Sequence, residues 1–163
     1  MPEKPVFTGV MQVGLVVKDL NEAMKRYWEI YGIGPWMIYT YGPDKVKDMT
    51  VRNKRVEFVM KVAFAFIGNI QWELIQPLDD NSIYAEYLKK HGEGLHHVAC
   101  AVGNHNETVA YLQDKGIGVL QSGTTTEGST FTYLDTQETM SCITEIFDVS
   151  EGGSFPPPEG TYP

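Results

Sequence analysis

The sequence predicts an α+β fold made of two copies of one unit, a strand, a helix and then three strands. The first observation behind this is an internal repeat. Gln12, Val13, Val17, Asn21 and Glu22 recur at His97, Val98, Val102, Asn106 and Glu107, all displaced by 85 positions. The second is that both apolar runs, 12–17 and 97–102, lead directly into a helix start. Asp19 with Glu22, and Asn104 with Glu107, are each a side-chain cap followed three residues on by Glu, which satisfies the free N–H groups of a first turn. The third is that both helical stretches end near glycine, at Gly32 and at Gly116.

Each element follows in order. In the first unit, strand 10–17 leads to a helix over 20–31. Its Leu20, Ala23, Met24, Tyr27, Trp28 and Tyr31 form one apolar stripe at helical spacing. Strands follow near 36–41, 55–67 and 70–75, and Pro77 ends the last. Asp79-Asp80-Asn81-Ser82 and a short helix over 83–91, stopped by Gly92, connect the units. The second unit has strand 95–102, helix 105–115 and strands near 117–122, 129–135 and 141–147. The stretch 151–158, rich in Gly and Pro, holds neither helix nor sheet and is expected to be extended or mobile. The expectation is a single domain over 1–163, with modules at about 8–77 and 94–149, a connector at 78–93 and a tail at 150–163.

Composition narrows the function classes. The chain has 163 residues, 42% hydrophobic and 21% charged, with 13 Lys and Arg against 21 Asp and Glu, for a net charge of −8. This is the make-up of a globular protein that can bury a core. The acidic balance excludes nucleic acid as the expected partner, because phosphates need clustered cations. No apolar run is long enough to span a bilayer, and the N-terminus lacks the apolar segment of a secretory signal. Cys100 and Cys142, in apolar strand-like runs, read as reduced thiols. A cytoplasmic location is expected.

Four polar residues interrupt apolar strands. Gln12 and His97 open the first strands of the two units, and Glu73 and Glu145 lie in the last. Singly, each has a plain reading: a carboxylate on a solvated sheet face, or a hydrogen-bonded core histidine. Together, at repeat-equivalent places, they converge if the units pair by pseudo-symmetry. One imidazole nitrogen and three oxygens then form a hard-to-borderline site for a divalent ion such as Zn, Ni, Co, Mn or Fe.

The motifs Gln12-Val13-Gly14-Leu15-Val16-Val17, Gln71-Trp72-Glu73-Leu74, Gly94-Leu95-His96-His97-Val98-Ala99 and Thr144-Glu145-Ile146 resemble the vicinal oxygen chelate superfamily, over about 10–148. The stretch from Pro77 to His97 is most similar to its methylmalonyl-CoA epimerase branch, while the set Gln, Glu, His, Glu is similar to that of zinc-type glyoxalase I. The resemblance implies two βαβββ modules curled into an incomplete barrel around one divalent metal, held by Gln12, Glu73, His97 and Glu145. It implies a metal-dependent isomerase or lyase, in which Glu145 is also the base that removes a proton beside a chelated carbonyl. It implies a small-molecule substrate, with acyl-CoA one class, and a homodimer.

Two positions depart from the pattern. Val16 stands where glyoxalase I places an arginine for glutathione. Arg52 stands where epimerases place a second carboxylate, with Glu57 the nearest acid. The other readings are a glyoxalase-like lyase acting on a thiol adduct or α-oxo compound, and a non-catalytic binding protein of the same fold. Trp36, Tyr39 and Tyr41 would line such a protein's ligand pocket or else pack the sheet. Lys45, Lys47, Arg52, Lys54 and Arg55 would meet the phosphates of an acyl-CoA or form a solvated face. His96 should point away from His97 by strand alternation, and His91 and His105 should be exposed.

Overall fold

The computed structural model describes residues 5–148 and 156–163. The predicted repeat becomes a mirrored sheet. In chain order the elements are β1 (Gly9–Val16), α1 (Leu20–Tyr31), β2 (Trp36–Tyr41), β3 (Val46–Val51), β4 (Lys54–Arg55), β5 (Met60–Ile67) and β6 (Ile70–Pro77). There follow α2 (Ile83–His91), β7 (Gly94–Ala101), α3 (His105–Asp114), β8 (Val119–Thr125), β9 (Thr130–Leu134), α4 (Gln137–Met140), β10 (Ile143–Asp148) and β11 (Gly160–Tyr162). The strands form one open sheet in the order β11-β2-β5-β6-β1-β7-β10-β9-β8-β3-β4. The run β2-β5-β6-β1 mirrors β8-β9-β10-β7, and β1 and β7 meet antiparallel in the middle. Each unit carries its own parallel pair, β1 with β6 and β7 with β10.

The helix caps form as the sequence implies. The Asp19 carboxylate accepts the backbone N–H groups of Asn21 and Glu22 at 2.9 and 3.0 Å. Asn104 accepts that of Glu107 at 3.0 Å. Gly32 closes α1 in the left-handed region, at φ 67°. Strand alternation then sorts the core. On β5, Ala63 and Ala65 meet Leu20, Ala23, Met24 and Trp36 beneath α1, whereas Met60, Val62 and Phe64 join Tyr41, Tyr84, Phe131 and Tyr133 on the opposite face. Each large apolar side chain fully buried in either layer stabilises the fold by about 1.5–3 kcal/mol. Trp36 and Tyr39 thus pack the core, and of the three aromatics expected at a pocket only Tyr41 lines the cavity.

Two expectations are corrected, one on the strand over 55–67 and one on His105. The strand expected over 55–67 is divided, and a separate hairpin, β3–β4, precedes β5. Arg52 and Asn53 both take left-handed φ, 48° and 62°, between the paired Val51 and Lys54, which is a two-residue hairpin turn. The hairpin leaves its own module and pairs with β8. Of the stretch 151–158, residues 151–155 lie outside the described part and 156–158 form neither helix nor strand; beyond it β11 pairs with β2, and Glu159 joins it to Lys45 and Thr40. His105 is buried rather than exposed, because its Nε2 meets Thr132 Oγ1 at 3.0 Å; His91 is exposed as expected. The edge strands β11 and β4 have three and two residues. Among the described residues no helix is long and apolar enough to cross a membrane.

Candidate metal centre and cavity

The four strands in the middle of the sheet, β6, β1, β7 and β10, each bring one of the four polar residues. The registers explain the convergence. Gly14 lies opposite Glu73 on one side and His97 on the other, while Ala99 lies opposite Gln12 and Glu145. Gly14 and Ala99 are repeat-equivalent, so each parallel pair places its glutamate at the same height on the central seam. Gly14 has a steric reason to be glycine: a Cβ there would stand 1.9 Å from His97 Cε1, so the imidazole occupies the space a side chain would fill.

His97 Nε2 is the focus. Gln12 Oε1 is 3.2 Å away, Glu73 Oε2 3.3 Å and Glu145 Oε2 3.0 Å. All four residues are buried, His97 completely. One ring nitrogen cannot serve three acceptors, and neither carboxylate oxygen has a well-aligned donor among the described residues. Unpartnered buried carboxylate oxygens are costly. Atoms that share a coordination shell with bonds of about 2.1 Å stand roughly 3.0–3.4 Å apart, so these spacings and donor types fit a single divalent cation. Glu73, His97 and Glu145 each offer a ligand atom within 4.8 Å of the others.

Electrostatics follow from the burial. Burial raises the pKa of Glu73 above the ordinary carboxylate value, although His97 beside it acts in the opposite direction. Burial works against a charged His97, but Glu145 and Glu73 outweigh it and push its pKa up to about 9. Without a cation, a proton on His97 offsets part of the charge of the two acids.

Several contributors escape sequence reasoning. Gln71 Oε1 accepts from Gln12 Nε2 at 2.6 Å, and this turns the Gln12 carbonyl oxygen toward His97. Its signal was present, since Gln71 shares a strand face with Glu73. His96 does not alternate away. The β1–β7 register slips between Gly14 and Leu15, which leaves His96 as the extra residue of a bulge, and its Nδ1 lies 3.0 Å from His97 Nδ1. Burial, then the neighbouring His97, pushes the pKa of His96 well down, so it buttresses the ring as a neutral group. Tyr84 and Tyr133 share a hydroxyl–hydroxyl bond of 2.8 Å at the cavity wall. Burial first, then nearby glutamates, raises the pKa of both, so they stay protonated.

Gln12, Glu73 and Glu145 line a cavity of about 410 Å³, a volume suited to a small organic ligand. Arg52 and Glu57 are not among its described lining residues. Arg52 instead forms a two-pronged pair with Glu86, both contacts at 2.6 Å. Lys45 is paired with Glu159, and Arg55 lies 3.5 Å from Asp48. Three of the five clustered cations therefore already face carboxylates.

Comparison with known proteins agrees with this architecture. Residues 11–133 match the family model of the Glyoxalase/Bleomycin resistance protein/Dioxygenase superfamily. The uncharacterized protein YqjC of Bacillus subtilis (strain 168) is 25% identical over 138 residues, 82% of this chain and 87% of its own. The mitochondrial methylmalonyl-CoA epimerase of Bos taurus is 40% identical over 65 residues, 39% of this chain and 37% of its own. Among solved structures, methylmalonyl-CoA epimerase from Mycobacterium tuberculosis superposes with a TM-score of 0.68 at 21% identity, covering 92% of this chain and 93% of that one. A Streptomyces coelicolor methylmalonyl-CoA epimerase variant in complex with 2-nitronate-propionyl-CoA gives 0.64 at 23%, covering 88% and 99%. These likenesses establish the fold.

Proposed function

The chain belongs to the glyoxalase/bleomycin resistance protein/dioxygenase superfamily, and from that premise we propose that it is a metal-dependent isomerase or lyase of the epimerase type, acting on a small carbonyl compound. The observation that carries the reading is the buried cluster of Glu73, His97 and Glu145, which holds unpartnered carboxylate oxygens and whose two glutamates also line a ligand-sized cavity. Gln12, Glu73, His97 and Glu145 are the proposed ligands. A divalent cation held there would supply Lewis-acid stabilisation of the negative charge that develops on a carbonyl oxygen when the neighbouring C–H loses its proton.

The chain's own residues do the rest. Glu145 reaches the cavity wall from β10 with one oxygen unpartnered, and it is the proposed proton acceptor. Gln71, itself at the cavity wall, and His96 hold Gln12 and His97 in orientation. The protonated Tyr84–Tyr133 pair offers a hydroxyl donor to a substrate oxygen. The apolar walls exclude water, which strengthens each polar contact at the reacting carbon. Return of the proton to the same carbon gives epimerisation. Its return to a neighbouring carbon gives the glyoxalase-like outcome, which the presence of two glutamates in the proposed ligand set also supports.

The solved epimerase relatives bind acyl-CoA compounds, and a thioester carbonyl suits the proposed chemistry. Both cysteines are free, in keeping with the cytoplasmic location proposed here. The test is deuterium wash-in at the α-carbon of candidate carbonyl substrates, with metal content measured in parallel. Glu145→Gln keeps an oxygen ligand but cannot accept a proton, so it should retain metal and lose exchange, with Glu73→Gln milder. Normal exchange in metal-loaded Glu145→Gln would refute the role of Glu145. Absence of exchange in the wild-type protein with every substrate would favour a binding protein.

A further inference from the structure

The cavity walls are specific about charge. Seven of the nineteen described lining residues are aromatic, among them Tyr41, Phe64, Phe66, Phe131 and Phe147. The lining carboxylates are Glu73, Glu127 and Glu145, and no lysine or arginine lines the cavity among the described residues. Alternation accounts for part of this: Met60, Phe64 and Phe66 of β5 face the cavity, and Lys61 between them does not.

The charge balance follows. Glu73 and Glu145 together cancel a divalent cation. A carboxylate-bearing chelator would then add a negative charge that no lysine or arginine of the described walls offsets.

Building on the metal-assisted reading above, we infer that the part of the substrate seated in this cavity is an uncharged chelator, a carbonyl with a neighbouring oxygen, that carries an aromatic group, and not a carboxylate of the malonyl type. The rings of Phe64, Phe131 and Phe147 supply the apolar and edge-to-face contacts that such a group takes up. A metal–carboxylate bond is ordinarily stronger than a metal–amide bond, so a preference for the neutral compound would have to come from the protein.

The test uses full-length protein loaded with cobalt(II), whose visible absorption reports on what chelates the ion, titrated with mandelamide, mandelate and lactamide. Mandelamide and mandelate differ by one charge; mandelamide and lactamide differ by the ring. Mandelamide should bind at least about tenfold more tightly than mandelate, and about tenfold more tightly than lactamide. Glu127→Lys should tighten mandelate by about tenfold and leave mandelamide nearly unchanged.

Mandelate binding as tightly as mandelamide would overturn the inference. So would lactamide matching mandelamide, cobalt spectra that respond to none of the three, or mandelate affinity unmoved by Glu127→Lys. A failure of the underlying reading looks different: cobalt would not be retained, or would be retained equally by His97→Ala, and the inference would fall with it.

Discussion

Replacing Gly14 with alanine tests the geometry of the centre without touching any proposed ligand. The added Cβ would stand 1.9 Å from His97 Cε1, 2.3 Å from Nε2 and 2.5 Å from Nδ1. Ordinary carbon contacts begin near 3.5 Å, so the ring has to retreat by roughly 1.5 Å. It has nowhere to go. His97 is fully buried, His96 Nδ1 is 3.0 Å away, and the Tyr133 ring centroid is 5.0 Å away. Overpacking of this kind costs about 1–3 kcal/mol, and the lack of an escape route puts the cost near 3. For a chain of this length that lowers Tm by about 6–12 °C.

Metal bonds tolerate only about 0.2 Å, so displacement of Nε2 should also weaken zinc binding by roughly 100-fold or more. Thermal melting in excess chelator isolates the first effect, and competition with a chromophoric zinc chelator measures the second. Gly9→Ala is the control, because a Cβ there has no neighbour within 4 Å. If Gly14→Ala matches the wild-type protein in both assays while Gly9→Ala does too, the packing argument for Gly14 is wrong.

Gln71→Leu removes the partner that orients the Gln12 amide and should weaken zinc binding by about tenfold with little change in Tm, read by the same competition assay. In the metal-free protein the pKa of His97 is pushed up to about 9, above the ordinary value near 6.5, so metal uptake must expel its proton. Zinc affinity should rise about tenfold per pH unit toward pH 9 and flatten above it, with close to one proton released at pH 7.5, measured calorimetrically in buffers of different ionisation enthalpy. The stability of the metal-free protein should move the other way, because a raised histidine pKa stabilises fully below about 6.5 and its contribution fades as pH climbs through about 9. We expect a homodimer, because Val10, Met11 and Phe66, which also line the cavity, and Ile67 are exposed at one end of the neighbouring strands β1 and β5–β6; a monomer mass by light scattering at micromolar concentration would contradict it.

The sequence carried the mirrored plan because repeats leave residues at a fixed offset, as Gln12 and His97 and Asp19 and Asn104 do, and Glu73 and Glu145 mark the equivalent last strands of the two units. It did not carry the β3–β4 hairpin. Asp48, also at positive φ, breaks the strand alternation, and an Arg52-Asn53 turn carries no glycine to announce it. Bulges were hidden for a similar reason. Alternation sends His96 to the opposite face, and only the slip in pairing with β1 shows that it stays beside His97. The burial of His105 depends on Thr132, a partner 27 residues away that no local pattern links to it. Gln71 was in plain view beside Glu73, but its task is to a residue on another strand.

The two shortest pieces of the sheet, β11 and β4, lie at its two outer margins. A sheet this wide would otherwise offer long rows of free N–H and C=O groups to any extended chain nearby. Three residues at one margin and two at the other leave little length on which a foreign strand could begin to register. Growth by lateral addition, the route to fibrils, is thereby discouraged, and at one margin the exposed charges of Lys54 and Arg55, which make up β4, reinforce the effect. A second copy of the chain would have to approach across a face or along the strand ends, and the exposed apolar side chains of β1 and β5 are at such an end.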